Sequence, residues 1–240
     1  MKRTPLRRRK SKFFLIMGIV GLLAIFIGFS KPFIVPISLR TFKAPTSIYV
    51  HALFSFSWVL LFTIQAFFIQ TKRHRVHIKL GLLGIFVAIG TCITLFPVAK
   101  FIVGRDLNEG LGESAYSSSV GLITTGIIFL FLVSIGLYFR KNVQLHKRLL
   151  LLATIVLLWP AWFRFRHFFP NVPRPDIWFG VVLSDTLIVV SWIWDKVQNK
   201  HVHAALLYGG LAIIIEQTFE VLMYDSFLWR QFGKIIYNSF

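Results

Sequence analysis

Seven apolar stretches divide this chain: residues 13–30, 47–70, 80–100, 118–139, 149–168, 177–194 and 204–224. A helix rises about 1.5 Å per residue, so about 20 apolar residues cross a hydrocarbon core of about 30 Å. Inside lipid a backbone must bond its own N–H and C=O groups, which a helix does within one segment. The expected fold is an all-α polytopic integral membrane bundle of about seven transmembrane helices.

Composition agrees. Hydrophobic residues make up 56% of the chain and charged residues only 15%, against about 25% charged in a soluble domain. Such hydrophobicity excludes disorder. The lone Cys92 excludes a disulfide scaffold. The connections are too short for a soluble domain. The expected organisation is a basic cytoplasmic leader over 1–12, one seven-span domain over 13–224, and an outer tail over 225–240 that forms an interfacial helix held by Trp229 and Phe232. The first run is longer than a signal-peptide core and no A-x-A site follows it, so it reads as a retained anchor.

The net charge of +18 would ordinarily raise nucleic acid as a partner. Its distribution argues otherwise. Segments 1–12, 71–79, 140–148 and 195–203 hold seven, four, four and two Lys/Arg, 17 of the 27 in the chain. These segments all fall on one side. The positive-inside rule makes that side cytoplasmic. The reading is therefore a bacterial inner (plasma) membrane protein with its N-terminus inside. Its partners are the bilayer and anionic lipid head groups at the cytoplasmic face, with no nucleic acid. Of the nine acids, only Asp195 lies in an inner segment.

Ionisable groups at membrane depth are costly and usually face a bundle interior. Five stand out: His51, Arg164, Asp185, Glu216 and Glu220. At 1.5 Å per residue, Asp185 is roughly 12 Å from the outer end of its span. Glu216 and Arg164 are roughly 18 and 22 Å from their inner ends. All five therefore fall in the outer half. Glu216 and Glu220 are i,i+4 and share a face. His51, Ser55, Trp58, Phe62 and Gln65 form a stripe on span two. The expectation is a buried polar cluster in which Arg164 pairs with some of the three carboxylates. At least one acid is left for a proton, a cation or His51. Small residues, Gly81, Gly84 and Gly90 in span three and Ser117, Gly121 and Thr125 in span four, read as helix-packing positions.

The seven histidines fall at the two ends of the spans. His77, His146 and His203 open spans three, five and seven on the inner side, and His51 and His167 lie on the outer side. Imidazole is the usual axial ligand of haem b, so one site near each membrane face is a layout that a trans-membrane electron carrier requires. His201-Val-His203 lacks the i,i+4 spacing and Glu of a metalloprotease motif. No phosphate-binding Gly-rich loop and no G-x-S-x-G is present.

Two steps carry a resemblance over roughly residues 48–165: Val76-His77-Ile78-Lys79-Leu80-Gly81, and His146-Lys147-Arg148-Leu149. Together they resemble bacterial families of predicted membrane proteins of unknown function. More faintly, the chain is similar to transmembrane cytochromes b of the ascorbate-reducible type, where a Leu-His…Leu-Gly step carries a haem ligand. That resemblance implies His77 as a haem b or metal ligand, with His51, His146 and His203 as partners. Three functions follow as expectations. The leading one is a non-enzymatic membrane protein with an outer polar cavity that handles a small solute or protons. The others are a haem b or metal redox protein, and a scaffold or assembly factor.

Overall fold

The computed structural model describes residues 12–239. The basic leader, Lys12 apart, and Phe240 lie outside the described residues. Those described are helical, without strands, and seven helices are long and apolar enough to cross a membrane. They are α1 (Phe13–Ser38), α2 (Thr46–Gln70), α3 (His74–Asn108), α4 (Gly112–Tyr138), α5 (Val143–His167), α6 (Asp176–Asn199) and α7 (Ala204–Met223). An eighth helix, α8, covers Phe227–Asn238.

Local chemistry sets their ends. Asn142 and Ser226 cap α5 and α8 by accepting the backbone N–H of Leu145 and Trp229 at 3.2 and 3.3 Å. Helix α6 stops at Lys200, which takes a left-handed φ of +69°. Two runs extend past the apolar core expected for them. Helix α1 continues to Ser38 through one wide π turn at Ser30–Ile34. That turn contains Pro32, whose ring crowds the carbonyl four residues back. Helix α3 runs for 35 residues rather than over 80–100. Its polar ends stay helical beyond the apolar stretch, which places His77 inside the first turns of the helix.

Helix α5 is the hub. It packs on α1, α2, α4, α6 and α7, and α3 closes the ring between α2 and α4. Its core face is apolar nearly all round, with Leu151, Leu152, Ala153, Ile155, Val156 and Leu158 all at most 2% exposed. Glycines let α1 approach closely: Gly28 lies on the Ala161 carbonyl of α5 and Gly18 on Thr63 of α2. Gly90 of α3 lies on the Phe54 ring of α2. The stripe on α2 does face inward. Trp58 donates to Thr154 of α5 at 3.2 Å, and Gln65 donates to the His77 carbonyl of α3 at 3.0 Å.

The connections 71–73, 139–142 and 200–203 lie together at what we call the basic end. Just inside it, Arg148 of α5 and Asp195 of α6 form a forked ion pair, with side chains 2% and 0% exposed. Arg148 Nε donates to Asp195 Oδ2 at 3.1 Å and Nη2 donates to Oδ1. Arg148 Nη1 also donates to the Gln144 carbonyl and side chain at 2.8 and 2.7 Å. Asp195 further accepts from Asn199 Nδ2 and, at 2.8 Å, from the His203 backbone N–H. One carboxylate thus ties α5, α6 and the start of α7 together. Beside it, Phe13 of α1 stacks on Trp194 at 4.2 Å.

The tail forms a helix, with a division of roles different from the expected one. Trp229 is buried and meets Phe219 at 6.0 Å, whereas Phe232 is 58% exposed. Gly233 lies on the Tyr116 carbonyl, and Ser119 donates to the Gly233 carbonyl at 3.2 Å. Trp229 anchors α8 to the bundle, and Phe227, Leu228, Phe232 and Ile235 face outward.

Removing one partner of a buried ion pair costs about 3–5 kcal/mol, because it strands the other charge. Arg148→Ala or Asp195→Ala is expected to lower the unfolding midpoint in detergent sharply. The double change Arg148→Met with Asp195→Leu is expected to recover most of the loss. A double change as damaging as the sum of the singles would show that the pair has no coupling.

Candidate functional site

The five polar residues expected as one cluster form two groups at the far end of the bundle. The first is His51 with Arg164, and the second is Asp185 with Glu216 and Glu220. The expected pairing of Arg164 with a carboxylate is not formed: among the described residues no acid lies within 4.0 Å of it. Arg164 instead turns back on its own helix and on α1. Its Nη1 donates to the Pro160 carbonyl at 2.7 Å, and its guanidinium lies 4.2 Å over the Phe29 ring. The physical reason is position. Arg164 opens the tight turn Arg164–His167 that ends α5, while the acids lie along α6 and α7.

His51 bridges α2 and α3. Its Nδ1 meets Thr94 Oγ1 at 2.9 Å and its Nε2 meets Ser55 Oγ at 3.2 Å. Thr94 has a single hydroxyl proton, and its Oγ1 lies 2.7 Å from the Gly90 carbonyl and 3.0 Å from the Thr91 carbonyl. With that proton on either carbonyl, Thr94 accepts from Nδ1–H of His51, and in that tautomer Nε2 accepts from Ser55.

The acidic group is different in kind. Asp185 is 5% exposed, and neither of its carboxylate oxygens has a hydrogen-bond partner. Glu216 stands close enough to repel it, and Glu220 in turn faces Glu216. Helix α4 supplies the opposite wall. Thr124 faces the Glu216 carboxylate, and Glu220 lies directly on Gly121, where a Cβ would collide with it. Gly121 is thus a seat for a carboxylate rather than a helix-packing glycine. Ser184 Oγ and Gln217 Oε1, both on buried residues, are likewise without partners.

The series reaches the far surface. Tyr224, just past α7, is influenced by Glu220, Asp106 and Asp225. Burial, and then these carboxylates, push its phenol above the ordinary value, so it keeps its proton. Asp225 accepts from Ser114 and from Arg230 Nε, the latter at 2.8 Å. The Ser114 hydroxyl first, and Arg230 after it, hold Asp225 below the usual carboxylate range. From the surface inward the order is Asp225, Tyr224, Glu220, Glu216, Asp185.

The histidines named as haem or metal ligands do not share one setting. Both ring nitrogens of His51 are engaged. His203 caps α7: its Nδ1 accepts the Ala205 N–H at 3.2 Å. His146 donates Nδ1 to the Gly136 carbonyl at 2.7 Å, and His77 Nδ1 is buried without a partner. His77 and His146 lie at the basic end near enough to influence each other. His51 is at the other end. Among the described residues no three His, Cys, Asp or Glu side chains converge as metal ligands.

The reading from sequence missed Arg148–Asp195, which it counted as loop charge. The signal was present: Asp195 is the sole acid of the inner segments, and Arg148 stands at the same end of a neighbouring span. It also missed Thr124, Ser184 and Gln217, which no periodicity singles out. No known protein family, curated protein or solved structure matches this chain.

Burial, and then the Arg148 charge, lower the His203 imidazole from its ordinary value of 6.5. The neutral ring is the capping form, so this stabilisation is full above about pH 6.5 and is lost as the pH falls below it. Hydrogen-exchange protection over the first turn of α7, relative to the intrinsic rate at each pH, is expected to fall on acidification. His203→Ala should lower the protection at neutral pH, at a cost of about 1 kcal/mol, and abolish its pH dependence, and His203→Asn should restore it. A pH-independent protection factor in the wild type would contradict the cap.

Proposed function

We propose that this chain is a multi-pass membrane protein that takes up and passes protons through the carboxylates Glu220, Glu216 and Asp185, and is not itself an enzyme. The observation that carries this reading is Asp185, buried with both oxygens unpartnered beside a second carboxylate. An isolated carboxylate in an apolar interior needs a counter-charge or a proton. No base among the described residues supplies the counter-charge. The three acids do not converge as metal ligands do. A proton, held one per carboxyl, is the cation that suits such an arrangement.

The order of the groups supports a path. Glu216 and Glu220 are one helical turn apart on α7, and Asp185 follows on α6. Tyr224 keeps a phenolic proton at the surface end. Gly121 gives Glu220 the room to change position as it gains or loses a proton. In this reading the basic end is cytoplasmic and faces anionic lipid head groups, in a bacterial inner membrane. The acids then open to the outer side.

The test is proton flux into proteoliposomes that carry a trapped pH-sensitive dye. Wild type is expected to collapse an imposed gradient. Asp185→Asn and Glu220→Gln are expected to slow the flux about a hundredfold, the low end of what a positioned proton-transfer group contributes. Gly121→Ala, which displaces Glu220, should slow it as well. Variants that elute as folded protein and pass protons at the wild-type rate would end this proposal.

A further inference from the structure

The group around Arg164 contributes no carboxylate to that path. The turn Arg164–His167 carries two arginines and a histidine within four residues. Lys31 of α1 docks on it: Nζ donates to the His167 carbonyl at 3.0 Å and lies 4.5 Å over the Phe168 ring. Arg105 of α3 faces both arginines. Its own acids, Asp106 at 2.7 Å and Glu109 at 3.7 Å, are engaged with it. Among the described residues no carboxylate comes within 4.0 Å of Arg164, Arg166 or Lys31.

Both guanidiniums lie over aromatic rings. Arg164 lies on Phe29, and Arg166 lies 3.8 Å over Phe163. Each gives one N–H to a backbone carbonyl, Arg164 to Pro160 at 2.7 Å and Arg166 to Phe163 at 3.3 Å. A guanidinium has five donors in a rigid fork that matches two oxygens of a phosphate. Half-buried charges of one sign, pre-set on ring faces and without a counter-ion, are costly unless an anion completes them. They also stand at the end of a membrane-spanning helix, the level of phospholipid head groups.

We propose that Arg164 and Arg166, with Lys31 at the rim, form a binding site for a phosphate-bearing anion. The two arginines grip non-bridging phosphate oxygens through their remaining N–H groups, and Lys31 supplies a third charge. A lipid head group and a free phosphate present the same oxygens, so the chemistry is shared and the source is settled by experiment.

The test uses the full chain, purified in a non-ionic detergent and unfolded by heat with tryptophan fluorescence as the readout. One arm adds inorganic phosphate against chloride at matched ionic strength. The other adds phosphatidylglycerol against phosphatidylcholine. A saturating ligand is expected to raise the midpoint by about 4 °C or more. The rise is expected to vanish in the double variant Arg164→Gln, Arg166→Gln and to persist in Lys234→Gln, which lies elsewhere. A rise with phosphatidylglycerol alone assigns a lipid head group, and a rise with inorganic phosphate assigns a free phosphate. No rise in either arm, or an equal rise in the double variant, overturns the site. If the double variant does not fold, Arg164→Lys keeps the charge and loses the fork. It is expected to retain less phosphatidylglycerol by native mass spectrometry, and equal retention overturns the proposal.

Discussion

The forked pair between Arg148 and Asp195 is the constraint on which the arrangement of α5, α6 and α7 depends. Helix-helix contact in lipid gains little from hydrophobicity, since the tails are as apolar as the side chains. Apolar packing around α5 is therefore compatible with many rotations of its neighbours. A charged fork is not. Asp195 accepts from Arg148, Asn199 and the His203 N–H, and only one rotation of α6 and one entry angle of α7 satisfy these donors together. Fixing α6 and α7 at the basic end fixes what their opposite ends present. The stripe Ser184, Ile188, Ser191 and Asp195 is buried along α6, and Asp185 follows Ser184 into the interior at its far end.

The two ends of the bundle treat charge in opposite ways. Near the basic end the buried charge is neutralised within the chain, with four donors on one carboxylate and four donated N–H groups from one arginine. Near the far end, Arg105 and Arg230 pair with Asp106 and Asp225, but the interior acids and Arg164 are kept apart. Glu216, Glu220 and Asp185 lie along α6, α7 and the facing wall of α4, and Arg164 leans on α1. Had stability alone shaped this end, an Arg164–Asp185 pair would have offset both desolvation costs. The two proposals each start from this separation, with protons for the acids and an anion for the arginines.

Much of this architecture was legible in the sequence. Runs of about 20 apolar residues dictate helices through the demands of the backbone alone. The i,i+4 spacing of Glu216 and Glu220 placed them on one face, and the stripe from His51 to Gln65 did turn inward. Pairing across helices was not legible. Distance along a span says nothing about which helices adjoin, so Arg164 was matched to acids on helices it does not reach. Arg148 was counted with the basic charge of the inner loops because it sits in the run His146-Lys147-Arg148, yet one residue of such a run can turn inward while its neighbours remain outside. Gly121 shows the same limit: a glycine in a helix reads as packing until the side chain opposite it is known.

The segregation also bears on how the two far-end groups act on each other. Coulomb coupling through protein falls with distance and is further weakened where polar side chains and solvent intervene. His51 is within electrostatic reach of Arg164, and its two nitrogens are already committed to Thr94 and Ser55. Those bonds tie α2 to α3 and leave neither nitrogen free to relay a proton. In the proposed path, the next acceptor after Glu220 is Glu216, one helical turn away, and not His51 across the bundle. The positive group at the end of α5 thus flanks the proposed path, with Arg166 acting on Tyr224 at its surface end.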